Sequence, residues 1–197
     1  INSFHKFPKD FQYLYKIEFL TKNMADKYFV DLNIYYQDSL LLAKKVIESK
    51  FYPNYLVALW RGGTFPGMII QEFFNKIGLK IDHISIRTSY YDDTVIDKRE
   101  EKVLVIGLNY LIDHANAEDR VLIVDDVFDT GRTIKEVIEQ YKTKTRKNAA
   151  NIKIATVYYK PSRNETNLKP DYYIHETDKW LVFPHELMGL TNEEIKS

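Results

Sequence analysis

The chain has 197 residues, enough for one domain or one domain with a small appendage. Its 28 basic and 28 acidic side chains cancel, which counts against a dedicated nucleic-acid or membrane-surface binder, and its 45% hydrophobic content excludes a disordered chain. With no cysteine, it cannot use disulfides, thiolate-bound zinc, iron–sulfur clusters or a thiol nucleophile. The charge-free stretch around the strongest apolar run is only Phe51–Trp60, too short to span a bilayer. The opening Ile1-Asn2-Ser3-Phe4-His5-Lys6 carries no signal-peptide core. The expectation is a soluble, cytoplasmic protein, with room for residues before Ile1.

Residues 1–30 are rich in Phe, Tyr and Lys without a clean period, and residues 1–33 read as an N-terminal extension. Tyr36, Leu40, Ala43 and Ile47 recur at helical spacing and predict one buried helix face. Pro53-Asn54 breaks the chain before Tyr55–Trp60, a continuous apolar run that suits a strand covered on both faces. Arg61-Gly62-Gly63 is a tight loop, and a helix runs from Pro66 to Gly78. Strands are predicted at 80–87 and 102–106, separated by a polar stretch. Val121–Val124 is the next strand, and Ile134, Val137, Ile138 and Tyr141 form the buried stripe of the helix after it. A last β-branched run, Ile152–Tyr159, ends at Lys160-Pro161. Alternating strands and helices call for an α/β fold with a mostly parallel sheet, whose ligands sit in loops at the strands' carboxyl ends.

The segment VLIVDDVFDTGRT, residues 121–133, carries the chemistry. Four buried apolar residues deliver two adjacent carboxylates, Asp125 and Asp126, to the mouth of the sheet. Asp129 follows, and then a Thr-Gly-x-Thr loop opens a helix. Thr130, Gly131, Arg132 and Thr133 offer backbone N–H groups, two hydroxyls and a positive helix end, which suit a monophosphate. Carboxylates beside a phosphate make sense if they hold sugar hydroxyls or reach a divalent cation. The pattern therefore reads as a phosphorylated-sugar site with Asp129 facing the reacting end.

This segment resembles the phosphoribosyl-pyrophosphate (PRPP) signature of the type I phosphoribosyltransferases. The resemblance implies an α/β fold of a mostly parallel, twisted sheet flanked by helices, with a small C-terminal hood and a mobile loop. It covers roughly residues 34–190 and implies a core at 34–170 that includes a mobile active-site loop region at 88–110, followed by a C-terminal hood and tail at 171–197. It assigns the ribose hydroxyls to Asp125 and Asp126, and the 5′-phosphate to Asp129–Thr133. Trp60-Arg61-Gly62-Gly63 resembles the family's pyrophosphate loop, and Ser89-Tyr90 its mobile-loop dipeptide.

Two downstream features resemble the 6-oxopurine branch. Lys160 matches the lysine that donates to the exocyclic O6 of hypoxanthine, guanine or xanthine; it suits adenine poorly, because a 6-amino group is itself a donor. Asp178–Glu186 resembles the hood, with Trp180 stacking on the purine, Leu181 meeting its edge and Glu186 helping with base or metal contacts. His185 stands where the family often has a second aromatic, and Glu186 replaces the usual Asp.

The implied reaction transfers phosphoribosyl from PRPP to N9 of the purine, giving a nucleoside 5′-monophosphate and pyrophosphate in purine salvage. Asp129 is the expected catalytic acid/base. Mg²⁺ is the expected cofactor, with Asp125, Asp126 and Glu186 as its ligands, directly or through water. A homo-oligomer is the default, and neither membrane nor nucleic acid is expected as a partner. The rivals are a non-enzymatic regulator sensing PRPP or a nucleotide on the same fold, and an enzyme for another base. Against the regulator stand Asp129, Lys160 and the zero net charge.

Overall fold

The computed structural model describes residues 27–90, 103–187, 190 and 192. They divide into a larger compact unit, residues 31–178, and a smaller one that joins the segment ending at Val30 to the chain from Lys179 onward.

In the larger unit, helix α1 runs over Leu32–Glu48. It starts where it does because the Asp31 carboxylate accepts the N–H groups of Asn33 at 2.9 Å and Ile34 at 3.0 Å. Its buried face is Tyr35, Asp38, Ser39, Leu42, Ala43 and Val46 rather than the face through Tyr36, which is exposed. The predicted stripe is turned because two polar residues occupy the inner face with their bonds made. Ser39 Oγ donates to Tyr35 O at 2.7 Å, and the Asp38 carboxylate meets His175 Nε2 at 2.8 Å.

Strand β2 occupies Tyr55–Trp60 as predicted, and α2 covers Thr64–Lys76, two residues ahead of Pro66. Gly78, at φ +81°, takes the left-handed conformation that follows the helix end. Strand β3, Asp82–Tyr90, extends beyond the predicted 80–87 and pairs antiparallel with β4, Val103–Ile106. The described ends of the stretch expected as a mobile loop at 88–110 are the β3–β4 pair and the start of a short helix α3, Asn109–His114. Its residues 91–102 lie outside the described residues. Strand β5 covers Arg120–Phe128, so Asp125 and Asp126 stand within the strand rather than after it. Helix α4, Arg132–Thr145, buries Ile134, Val137, Ile138 and Tyr141 as the spacing predicts. Strand β6 is Asn151–Tyr159, and a 3₁₀ turn at Pro161–Arg163 follows.

Strand β7, Tyr172–Glu176, falls in the segment expected as hood but is an edge strand of the main sheet. The sheet order is β4-β3-β2-β5-β6-β7, parallel throughout except for the β3–β4 pair. The central strands carry apolar residues on both faces. Val57, Leu59, Val121 and Ile123 join Ile134, Val137 and Tyr141 of α4 in one core. Leu56 and Ala58 meet α2 on the other face, where Gly67 sits so close that a Cβ would lie 2.9 Å from the Ala58 methyl. Chain order reverses between β2 and β5, and the crevice at such a reversal is where parallel sheets bind ligands.

In the smaller unit, β1, Lys27–Phe29, pairs in parallel with β8, Trp180–Val182, and Val30 N–H donates to Val182 O at 2.9 Å. Of the expected N-terminal extension, Lys27–Phe29 are therefore a strand paired with the chain's C-terminal part, while Leu32 and Asn33 already belong to α1. Residues 1–26 lie outside the described residues. Among the described residues no helix is long and apolar enough to cross a membrane.

Candidate active site

The carboxyl ends of β2 and β5 meet through two glycines. A Cβ on Gly62 would lie 2.1 Å from Asp126 Oδ2, and one on Gly63 would lie 2.1 Å from Val124 O. The loop after β2 therefore closes directly onto the paired acids: a side chain at 63 would run into the backbone of β5, and one at 62 would displace the Asp126 carboxylate. The Trp60–Arg61 peptide is cis, and Arg61 O accepts from Thr64 Oγ1 at 2.6 Å at the start of α2.

Asp126 is buried, and its Oδ1 accepts the Val127 N–H at 2.7 Å. Asp125 keeps some exposure, yet its carboxyl is pushed well above the ordinary range. Burial is the main cause and the neighbouring Asp126 charge the second; the backbone N–H groups of Asp126 and Gly63 offset part of it. Two acids held together in this way gain most from a ligand that brings hydroxyl donors or a cation. Among the described residues no group of three or more His, Asp or Glu could enclose a metal alone. The donor set suits a hard divalent ion that keeps its waters and takes further oxygens from a phosphorylated ligand.

The next loop turns on a glycine. Gly131 has φ +77°, and a Cβ there would lie 2.6 Å from the Phe128 ring and 2.8 Å from Thr166 Oγ1, so both backbone angle and space demand glycine. Helix α4 begins at Arg132 with no side-chain cap at Gly131, and its positive end lies at this loop. Thr130 Oγ1 accepts the Arg132 N–H at 3.4 Å. The segment after Lys160 braces this loop, with Glu165 N–H donating to Thr130 O at 3.0 Å and Arg132 Nη2 lying 2.5 Å from Glu165 Oε2.

Lys160, in the loop after β6, reaches Asp129, in the loop after β5. Its side chain is 6% exposed and its Nζ lies 3.4 Å from Asp129 Oδ2. A buried cation is thereby placed beside a carboxylate that is one-third exposed. Arg163 Nε stands 2.8 Å from Asp129 Oδ1. Sequence reasoning missed Arg163 and Glu165. Their one sequence signal is proximity to Lys160-Pro161, and no periodicity marks them.

The remaining predicted site residues lie on β3 and in the smaller unit. Ser89 lies in β3 opposite Leu104 of β4, and Tyr90 opposite Val103. Trp180, Leu181 and Glu186 belong to the smaller unit. There Trp180 is exposed at the start of β8, Leu181 is buried, and Glu186 Oε2 accepts the Phe183 N–H at 3.3 Å.

The fold is thus that of an α/β protein with a mostly parallel sheet, carrying paired carboxylates at its switch point and a glycine-turned helix end in the loop that follows. Residues 33–187 match the phosphoribosyl transferase domain, and the chain belongs to this family of transferases. It is 29% identical over 171 residues to xanthine phosphoribosyltransferase 1 of Saccharomyces cerevisiae, a match covering 73% of this chain and 81% of the yeast protein. The crystal structure of a purine phosphoribosyltransferase from Pyrococcus horikoshii superposes with a TM-score of 0.64 at 30% identity, covering 84% of this chain and 98% of that one. The xanthine-guanine-hypoxanthine phosphoribosyltransferase of Helicobacter pylori shares the fold at 21% identity, with a TM-score of 0.62 and coverage of 80% and 92%.

Proposed function

We propose that the chain transfers the 5-phosphoribosyl group from PRPP to N9 of a 6-oxopurine, releasing pyrophosphate and forming the nucleoside 5′-monophosphate, as in purine salvage. The observation that carries this reading is the juxtaposition of Lys160 Nζ and Asp129 Oδ2 at 3.4 Å. A cationic donor and an anionic acceptor side by side match the two neighbouring atoms on one purine edge, O6 as acceptor and N7 as a position that gains a proton. Adenine presents an amino group where Lys160 offers only donors. The names of the yeast and Pyrococcus relatives agree with a purine as acceptor.

In this reading the Thr130–Thr133 backbone and the end of α4 hold the 5′-phosphate, and Asp125 and Asp126 hold the ribose hydroxyls. The Arg61-Gly62 loop receives the pyrophosphate, with Ser89-Tyr90 beside it. As the bond from C1′ to the pyrophosphate oxygen breaks and the bond from N9 forms, Asp129 stabilises the proton at N7. Lys160 holds O6, and Trp180, Leu181 and Glu186 belong to the base side. The anomeric carbon becomes oxocarbenium-like, so positioning and charge neutralisation do most of the work. Asp125 and Asp126 would also hold Mg²⁺, with Glu186 a further candidate ligand; when bound, the ion neutralises charge on the departing pyrophosphate.

The test is product formation from PRPP and Mg²⁺ with hypoxanthine, guanine, xanthine and adenine in separate reactions. Nucleoside monophosphate from at least one of the first three and little from adenine is expected. Turnover of adenine alone, or of none of the four, would overturn the base assignment.

A further inference from the structure

Arg163 takes no part in the reading above, yet its guanidinium lies against the acid on which that reading turns. Asp129 Oδ1 has essentially no solvent-accessible surface and receives no aligned hydrogen bond, with Arg163 Nε 2.8 Å away. The contact is thus held by charge. The Asp129 side chain as a whole is still one-third exposed, so Oδ2, the oxygen beside Lys160 Nζ, is the one a ligand can reach. A carboxylate otherwise turns broadly about its last torsion. Here a cation on each oxygen distinguishes the two, Arg163 closing over Oδ1 and Lys160 flanking Oδ2.

The arginine is itself held in place by its surroundings. Lys160 N–H donates to Phe128 O at 2.9 Å, fixing the end of β6 to the end of β5. Pro161 sets the backbone angle at the start of the 3₁₀ turn, and Arg163 N–H closes it on Lys160 O at 3.2 Å. Ser162 Oγ bonds the Asp178 carboxylate beyond β7, and Asn164 Nδ2 donates to Leu168 O at 2.7 Å. These bonds lie on both sides of Arg163 and direct it back across the loop to Asp129.

We propose that Arg163 is a positioning residue for the transfer reaction: it pins Oδ1 of Asp129 so that Oδ2 is presented, beside Lys160, to the N7 edge of the purine. The inference rests on the acid/base role proposed for Asp129. Arg163 acts through that carboxylate and touches neither PRPP nor the base. A lysine would supply charge without the planar group that covers an oxygen, so the conservative change should be only a partial replacement.

The test compares Arg163→Gln, Arg163→Lys, Asp129→Asn and the Arg163→Gln/Asp129→Asn double variant. Arg163 is nearly half exposed, so Arg163→Gln should fold with an unchanged melting temperature. Its kcat is expected to fall by about 10- to 100-fold with the PRPP KM within about twofold, the signature of a misaligned catalytic group. Arg163→Lys should recover part of the loss, and millimolar guanidinium should partly restore Arg163→Gln but not Asp129→Asn. The double variant should be no slower than Asp129→Asn alone, because one residue acts through the other. An Arg163→Gln enzyme with wild-type kcat, beside an impaired Asp129→Asn, overturns this inference and leaves the role of Asp129 standing. A fully active Asp129→Asn overturns both. Losses that multiply in the double variant, or that come with a matching rise in PRPP KM, would also overturn it.

Discussion

Gly63→Ala puts the switch-point geometry to a sharp test. Gly63 has φ −67° and ψ −13°, a conformation open to any residue, so its requirement is for space alone. An added Cβ would lie 2.1 Å from Val124 O, 2.8 Å from Leu59 N and 3.0 Å from Asp125 Cα, against ordinary contact from 3.4 Å. All three neighbours are backbone, so no side chain can rotate away, and Val124 is fixed by pairing with Ala58 on one side and Ala155 on the other. The loop after β2 must move away from β5 by roughly 1 Å, which costs about 1–3 kcal/mol as overpacking. For a chain of this size that is a fall in melting temperature of about 2–12 °C. The same shift separates the loop after β2 from Asp125 and Asp126, and a 1 Å misplacement near reacting groups can cost about 100-fold in turnover. Thermal unfolding and PRPP-dependent product formation, measured on the same preparation, read both effects. Gly62→Ala is the internal comparison, because its clash is with the Asp126 carboxylate, a side chain that can turn. It should lose less stability while raising the PRPP KM. A Gly63→Ala protein with unchanged melting temperature and kcat/KM would refute the reasoning.

Asp125→Asn should stabilise the protein at neutral pH while impairing PRPP use. The folded state raises the Asp125 pKa, so ionisation there is penalised relative to the unfolded chain. The penalty is complete above the raised value, shrinks as pH falls through it, and vanishes below the ordinary value of about 4. Denaturant unfolding of the ligand- and metal-free proteins between pH 4 and 8 should show the variant's advantage growing with pH; an advantage independent of pH would contradict this account. Asp129→Asn should retain PRPP affinity, read by calorimetry, and lose about 10²- to 10⁴-fold in turnover.

Residues 121–133 were legible because their information is local. Four apolar residues, two acids and a Thr-Gly-x-Thr turn follow one another, and a strand joined to a helix needs no distant partner to be recognised. The stripe of α4 was readable for the same reason, its inner face being Ile134, Val137, Ile138 and Tyr141 at helical spacing. The face of α1 was not, because Asp38 and Ser39 are buried by virtue of His175 and of a bond along the helix, and apolar spacing cannot anticipate a satisfied polar group. Strand β7, only five residues long, carries a tyrosine pair followed by Ile, His and Glu, and became a strand by pairing with β6.

The sequence by itself determined the α/β class and the phosphoribosyl transferase family, because an acid pair and a glycine turn at a strand end form a pattern of adjacent residues. Only the tertiary structure decided which distant groups share a site. Lys160 and Asp129 are 31 residues apart, and Arg163 and Asp129 are 34 apart; each pair meets because Lys160 N–H is bonded to Phe128 O where two parallel strands end together. Gly62 and Asp126 approach through the pairing of β2 with β5, which no local pattern encodes. Sheet register aligns the strand ends, and side chains from loops far apart in sequence then lie within hydrogen-bonding and ion-pairing distance of one another.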